Sequence, residues 1–246
     1  VNTTGYSNVA VGYEALHSNT IGHRNVSLGI ESLRLNTEGI YNVAVGTYSL
    51  DANTTGDNNV AIGMHSLGGN TTANDNTAVG HFALMGNTTG TRNVAVGALA
   101  LDADTISDSV AVGYNALTSS TNNHNTAVGS KALEDNTSGS SNTSVGSLCL
   151  TDNTTGTSNT AVGFASLRYN TTSSSNTAVG SGAASNTTGA NNTAVGMQAL
   201  LANTSGGDNT VLGSIALDAN TTGSRNTALG RDSLGQNTTG SDNVVI

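Results

Sequence analysis

A chain of 246 residues with a net charge of −9, no Trp, no Pro, 3% aromatic and 9% charged residues has the length of a globular domain but not the large apolar side chains that fill its core. Seven Lys and Arg against sixteen Asp and Glu leave no basic stripe for nucleic acid, and the scattered acids suit solubility rather than a particular partner. No apolar run reaches the roughly 18 residues that would cross a bilayer, Val1-Asn2-Thr3-Thr4 has no signal-peptide pattern, and the single Cys149 excludes an internal disulfide framework.

The chain repeats from its first residues. The tetrad Val9-Ala10-Val11-Gly12 returns with onsets at Val26, Val43, Val60, Thr77, Val94, Val110, Thr126, Thr143, Thr160, Thr177, Thr193, Thr210, Thr227 and Val244. Eleven intervals are 17 residues long and three are 16. With Asn2 as slot one and Ser18 as slot seventeen, each slot follows a rule. Slots one to four, Asn-Thr-Thr-Gly, predict a turn, because Asn bonds its own backbone and Gly adopts positive φ freely. Slot seven is Asn in fourteen of fifteen units, with Ser109 the exception, which predicts a stack bonding amide to amide.

Slots eight to eleven alternate at period two, so eight and ten share one face and nine and eleven the other. A second short strand is expected after the bend at the slot-eleven Gly. There slot fourteen is always Ala, Ser or Cys, and slot fifteen is Leu in all but one unit, Ala184. Slot ten is always aliphatic, and Val11, Leu28 and Val45 are expected to stack in the core beside Leu16, Leu33 and Leu50. The fold class that follows is all-β: a parallel β-solenoid, or β-roll, of about fifteen coils of 17 or 16 residues, forming a single repeat domain over residues 1–246. At about 4.8 Å per coil it would make a rod on the order of 70 Å long. The 16-residue intervals lose their residue in turns, around Ala103-Asp104-Thr105-Ile106 and Ser119-Ser120-Thr121-Asn122. Neither end carries an atypical capping unit, which suggests a fragment of a longer chain or filament.

Residues that could carry chemistry do not converge. His17, His23, His65, His81 and His124 fall in variable slots, so solvent-facing histidines are expected rather than metal ligands. Cys149 sits in the small-residue core slot and predicts an inert buried thiol. The acids recur at no fixed spacing, and no Gly-rich stretch has the Lys and helix of a phosphate loop. The expectation is no catalytic, cofactor-binding or metal residue, and no enzyme. Asn-x-Ser/Thr at Asn53, Asn70, Asn87, Asn153, Asn220 and elsewhere matches the N-glycan acceptor pattern, although turn chemistry predicts the same residues. Paired Thr, as in Thr54-Thr55, Thr71-Thr72 and Thr88-Thr89, suggest a regular hydroxyl array for ice or carbohydrate. The strip Ala10, Gly12, Ala44, Gly46, Ala95, Gly97, Ala161 and Gly163 carries no bulky or charged side chain. It is either a surface for close approach of a second chain or the tight inside of a narrow coil.

The pattern in Asn159-Thr160-Ala161-Val162-Gly163 and Asn220-Thr221-Thr222-Gly223 resembles the head repeats of trimeric autotransporter adhesins and is similar to runs in bacteriophage tail-fibre proteins. The resemblance covers the whole chain. It implies a left-handed parallel β-roll, three chains about one axis, and a stalk or head at a cell surface or on a virion. The expected function is a structural rod of an extracellular fibre or adhesin that self-associates as a homotrimer or filament. The expected partners are a cell-surface receptor or carbohydrate, with no nucleic acid and no membrane span. The alternative is a ligand-binding solenoid.

Overall fold

The structure, a computed structural model, describes residues 2–102 and 105–246. Ala103 and Asp104, where one shortened turn is expected, lie outside the described residues, as does Val1. Every tetrad forms a strand. The chain divides into two compact units, Val1–Asn123 and His124–Ile246. The first holds seven strands from β1 (Val9–Val11) and β2 (Val26–Leu28) to β7 (Val110–Val112), and the second holds eight from β8 (Thr126–Val128) to β15 (Val244–Val245). Within each unit neighbouring strands pair parallel and in register, Val9 with Val26 in the first and Thr160 with Thr177 in the second. The described residues form no helix. Each unit is a parallel β-solenoid with one repeat per coil.

The two faces of the strand are reversed from the sequence expectation. Slot nine points into the coil: Ala44, Ala61, Ala95 and Ala161 are wholly buried. Slots eight and ten point outward, and Leu28 and Ile62 are 45% and 40% exposed. Coils about 4.8 Å apart leave little interior volume, and one Leu per coil takes most of it. Leu33, Leu50, Leu67 and their equivalents at slot fifteen are buried as expected, beside small slot-fourteen residues such as Ser49 and Ala83. Only Ala, Ser or Val occupies slot nine.

The second strand does not form. Slots thirteen and fifteen have left-handed backbone, with φ 53° at Glu14 and Leu16 and 49° at Leu33. Each such residue costs about 1–2 kcal/mol, comparable to the roughly 1.5–3 kcal/mol from burying the Leu. Pairing between coils nevertheless continues: Leu16 N–H donates to Ser32 O at 3.0 Å, Ser18 N–H to Arg34 O at 3.0 Å and Glu31 N–H to Tyr13 O at 2.8 Å. At the bend, Gly12 has φ 135°, and a Cβ there would lie 2.3 Å from the Gly29 carbonyl oxygen.

Two Asn columns are also buried in the coils. The slot-seven stack bonds through the main chain: Asn42 N–H donates to Asn25 Oδ1 at 2.9 Å, and Asn25 Nδ2 donates to Gly39 O at 2.8 Å. Some rungs add an amide-to-amide bond, as from Asn59 Nδ2 to Asn42 Oδ1 at 3.2 Å in the first unit and from Asn209 Nδ2 to Asn192 Oδ1 at 3.0 Å in the second. The more regular amide ladder is at slot one, which sequence reading treated only as a turn. There Asn36 Nδ2 donates to Asn19 Oδ1 at 2.9 Å and Asn53 Nδ2 to Asn36 Oδ1 at 2.8 Å. Both columns meet at the slot-four carbonyl, since Gly39 O also accepts from Asn36 Nδ2 at 3.1 Å. Buried amides that would otherwise be costly are thereby largely satisfied, with Asn70 Oδ1 and Asn170 Oδ1 left without a partner.

Candidate functional site

The outward strand face is the most regular surface feature of each unit. Val or Thr at slot eight and Val, Leu or Ile at slot ten stand on parallel strands, where β-branched side chains have few rotamers to lose. No residue of slots eight to eleven is charged in any coil. Slot twelve widens the apolar band in places, with Tyr13 68% exposed and Ile30, Met64, Tyr114 and Phe164 also exposed. Such a face can be covered without desolvating a charge. Sequence reading missed it because it assigned these residues to the core.

The strip proposed from sequence for close approach does not provide this surface. Ala44, Ala95 and Ala161 are sealed inside their own coils, while Gly46, Gly97 and Gly163 are only partly exposed at the bend. Ala10 and Gly12 are exposed in the first coil, where no preceding coil covers them. The interior reading of the strip is the one that holds for the Ala positions.

The asparagines with the glycan acceptor pattern are also in the wrong place. Asn53, Asn70, Asn87, Asn153 and Asn220 are wholly buried, and Asn53 Nδ2 spends its hydrogens on Asn36 Oδ1 at 2.8 Å and Gly56 O at 3.0 Å. A sugar on that nitrogen would break the ladder. Asn186 and Asn191, which share the tripeptide, are exposed; Asn191 escaped the sequence reading because it lies outside slot one.

The paired Thr are not a free hydroxyl array. At slot two the hydroxyl is committed, with Thr54 Oγ1 donating to Thr71 O at 3.0 Å and Thr71 Oγ1 to Thr88 O at 3.3 Å; Thr55, Thr72 and Thr89 at slot three are exposed.

His17, His81 and His124 are exposed, but His23 and His65 are half-buried. His65 stacks between Tyr48 and Phe82 at centroid distances of 4.9 and 5.2 Å, and His23 stacks on Tyr6 at 4.5 Å. These rings share a slot in successive coils, so the repeat itself brings them together. Burial pushes the Cys149 thiol up to about 11, as expected of an unreactive thiol. Among the described residues no group of three or more His, Cys, Asp or Glu could hold a metal ion, and no concave pocket is present. No helix is long and apolar enough to cross a membrane.

No protein family, curated protein or solved structure matches this chain.

Proposed function

We propose that the chain is a non-catalytic structural segment of an extracellular fibre or surface adhesin, at a cell surface or on a virion, that works as a self-associated multimer, with three chains about one axis as in the adhesin heads it resembles. The observation that carries this reading is the uncharged, largely aliphatic outward face repeated on every coil. The face toward the partner chains is then slots eight and ten, not the Ala and Gly strip. A monomer would leave a column of Val, Leu and Ile in water in each unit, whereas covering it recovers roughly 25 cal/mol per Å². Exposed slots in the turns, including Thr55 and Thr89, would remain available for a receptor or carbohydrate.

Sedimentation equilibrium tests the reading. The unaltered chain should run as a multimer, and Val45→Lys with Val162→Lys should dissociate it while each chain stays folded by circular dichroism. A chain monomeric at every concentration would refute it.

A further inference from the structure

We infer that self-association is carried chiefly by the first unit, whose outward face is the surface that a second copy of this chain covers; the inference rests on the fibre reading above. The two units build their interiors from the same residue types, with Ala, Ser or Val at slot nine, small residues at slot fourteen and Leu at slot fifteen. They differ on the outward columns. Slot eight is Val in six of the seven strands of the first unit, with Thr77 the exception, and Thr in seven of the eight strands of the second, from Thr126 to Thr227, with Val244 the exception. Slot twelve changes in the same sense. In the first unit it includes the exposed Tyr13, Ile30, Met64 and Tyr114. In the second it is Ser in four of seven coils, with the exposed Phe164 and Met197 remaining apolar. Slot eight thus turns from Val to Thr, and slot twelve gains Ser, although Thr47 and His81 already interrupt it in the first unit and Arg231 is charged in the second.

Val and Thr have nearly the same shape, so the exchange alters chemistry rather than fit. A Thr hydroxyl pressed against a second copy must find a partner there or lose its water bonds uncompensated, and a Val methyl loses nothing. The first unit is therefore the drier and stronger surface. A second copy is the occupant that fits it best. Its coil spacing is identical, so its side-chain columns match the face coil by coil. Every acid of this chain of net charge −9 lies outside slots eight to eleven, so two such faces meet without opposing carboxylates. Seven coils at about 4.8 Å, and a band roughly 15 Å wide, give a face on the order of 500 Å² per copy. A pair of such faces buries about 1,000 Å², at the lower limit of specific interfaces, so the apolar quality of the patch decides whether it holds.

The test uses the full chain and sedimentation equilibrium, with circular dichroism melting to confirm folding. Val43→Thr, Val60→Thr and Val94→Thr together give the first unit the slot-eight chemistry of the second and should weaken association about tenfold or more, the change expected from little more than one unpaired hydroxyl. Val43→Lys with Val60→Lys should abolish association, and Thr160→Lys with Thr177→Lys should change it less than about threefold, well under the tenfold step. Equal losses from the two Lys pairs, or a greater loss from the second, would overturn the inference while leaving the fibre reading standing. An unsubstituted chain that is monomeric throughout would overturn both.

Discussion

In the coil where Thr193 follows Thr177 by 16 residues, Thr187 stands in the place that Asn170 and Asn203 hold on either side. The placement is read from the backbone, since Thr187 N–H donates to Ala184 O at 3.0 Å as Asn170 N–H does to Leu167 O at 3.1 Å. Thr187 Oγ1 is buried without a partner, and so is Asn170 Oδ1, the atom that would accept the next amide of the ladder. Thr187→Asn should supply that amide and remove the orphaned hydroxyl. A gain of about 1–2 kcal/mol is expected, from satisfying buried groups that each cost about 1–3 kcal/mol unmade. Chemical denaturation at pH 7 checks it, and an unchanged midpoint would mean that the ladder is not worth its hydrogen bonds. Charge at a half-buried site acts the other way. Asp51 is held above the usual carboxylate range chiefly by burial, opposed by a hydrogen bond from its own backbone amide and by Arg34 and His65, with the nearby Glu31 adding a little to the shift. A raised acid favours the protonated folded form, so stability gained below its unfolded value is lost as pH rises through the folded one. Asp51→Asn should therefore stabilise the chain at pH 7, and the advantage should vanish below about pH 3.8, the unfolded value; a variant less stable at pH 7 would mean that the backbone hydrogen bond, Arg34 and His65 together outweigh desolvation.

The strand is the element that sequence reading located but turned inside out. Period two separates slots eight and ten from slot nine, yet both faces are uncharged, so the pattern does not say which is inside. Hydropathy favours Val over Ala. Volume decides the other way, because a coil about 4.8 Å from its neighbours admits only small residues opposite its Leu. The same sequence marked slots fourteen and fifteen correctly, where small and large residues are adjacent and unvarying. The left-handed positions at slot thirteen were not legible because they hold Glu14, Tyr48, Phe82 and Ala165, which carry no turn signature. The slot-one ladder was hidden behind a sound turn assignment: Asn can serve both purposes. The reversed face makes a direct prediction for adjacent residues. Ala161→Asp puts an uncompensated carboxylate in the core and should cost several kcal/mol, whereas Val162→Asp, on the half-exposed outer face, should cost the folded chain under about 1 kcal/mol. Equal losses in urea unfolding, measured at a concentration where both variants and the unaltered chain are monomeric, would return slot ten to the core.

At the scale of the molecule, each unit is held by contacts between successive coils, and what one coil offers the next is nearly the same everywhere. The slot-one amide, the slot-seven main-chain bond, the Leu column and the strand register recur at 17 residues in most coils, with Thr187 and Ala184 among the interruptions. Stability should then be close to a sum of coil terms and nearest-neighbour terms, with no single residue organising the whole. Removing residues 53–69, one complete coil, tests this more directly than any point substitution. It joins Ala52 to Asn70, presents Asn70 Nδ2 to Asn36 Oδ1 where Asn53 Nδ2 now bonds at 2.8 Å, and sets Leu84 on Leu50 in the place of Leu67. The shortened chain should remain soluble and β-rich, with a melting midpoint within a few degrees of the full chain, since only one coil and one interface are lost. Removing residues 53–61 instead takes away fewer residues but sets Ile62, an outward slot-ten residue, where the slot-one amide belongs. Both Asn columns and the strand register are then broken at one place, and that chain should melt far lower or fail to fold. If the whole-coil deletion proved as damaging as the half-coil one, the additive account would be wrong, and some feature of residues 53–69 beyond their place in the repeat would have to hold the first unit together.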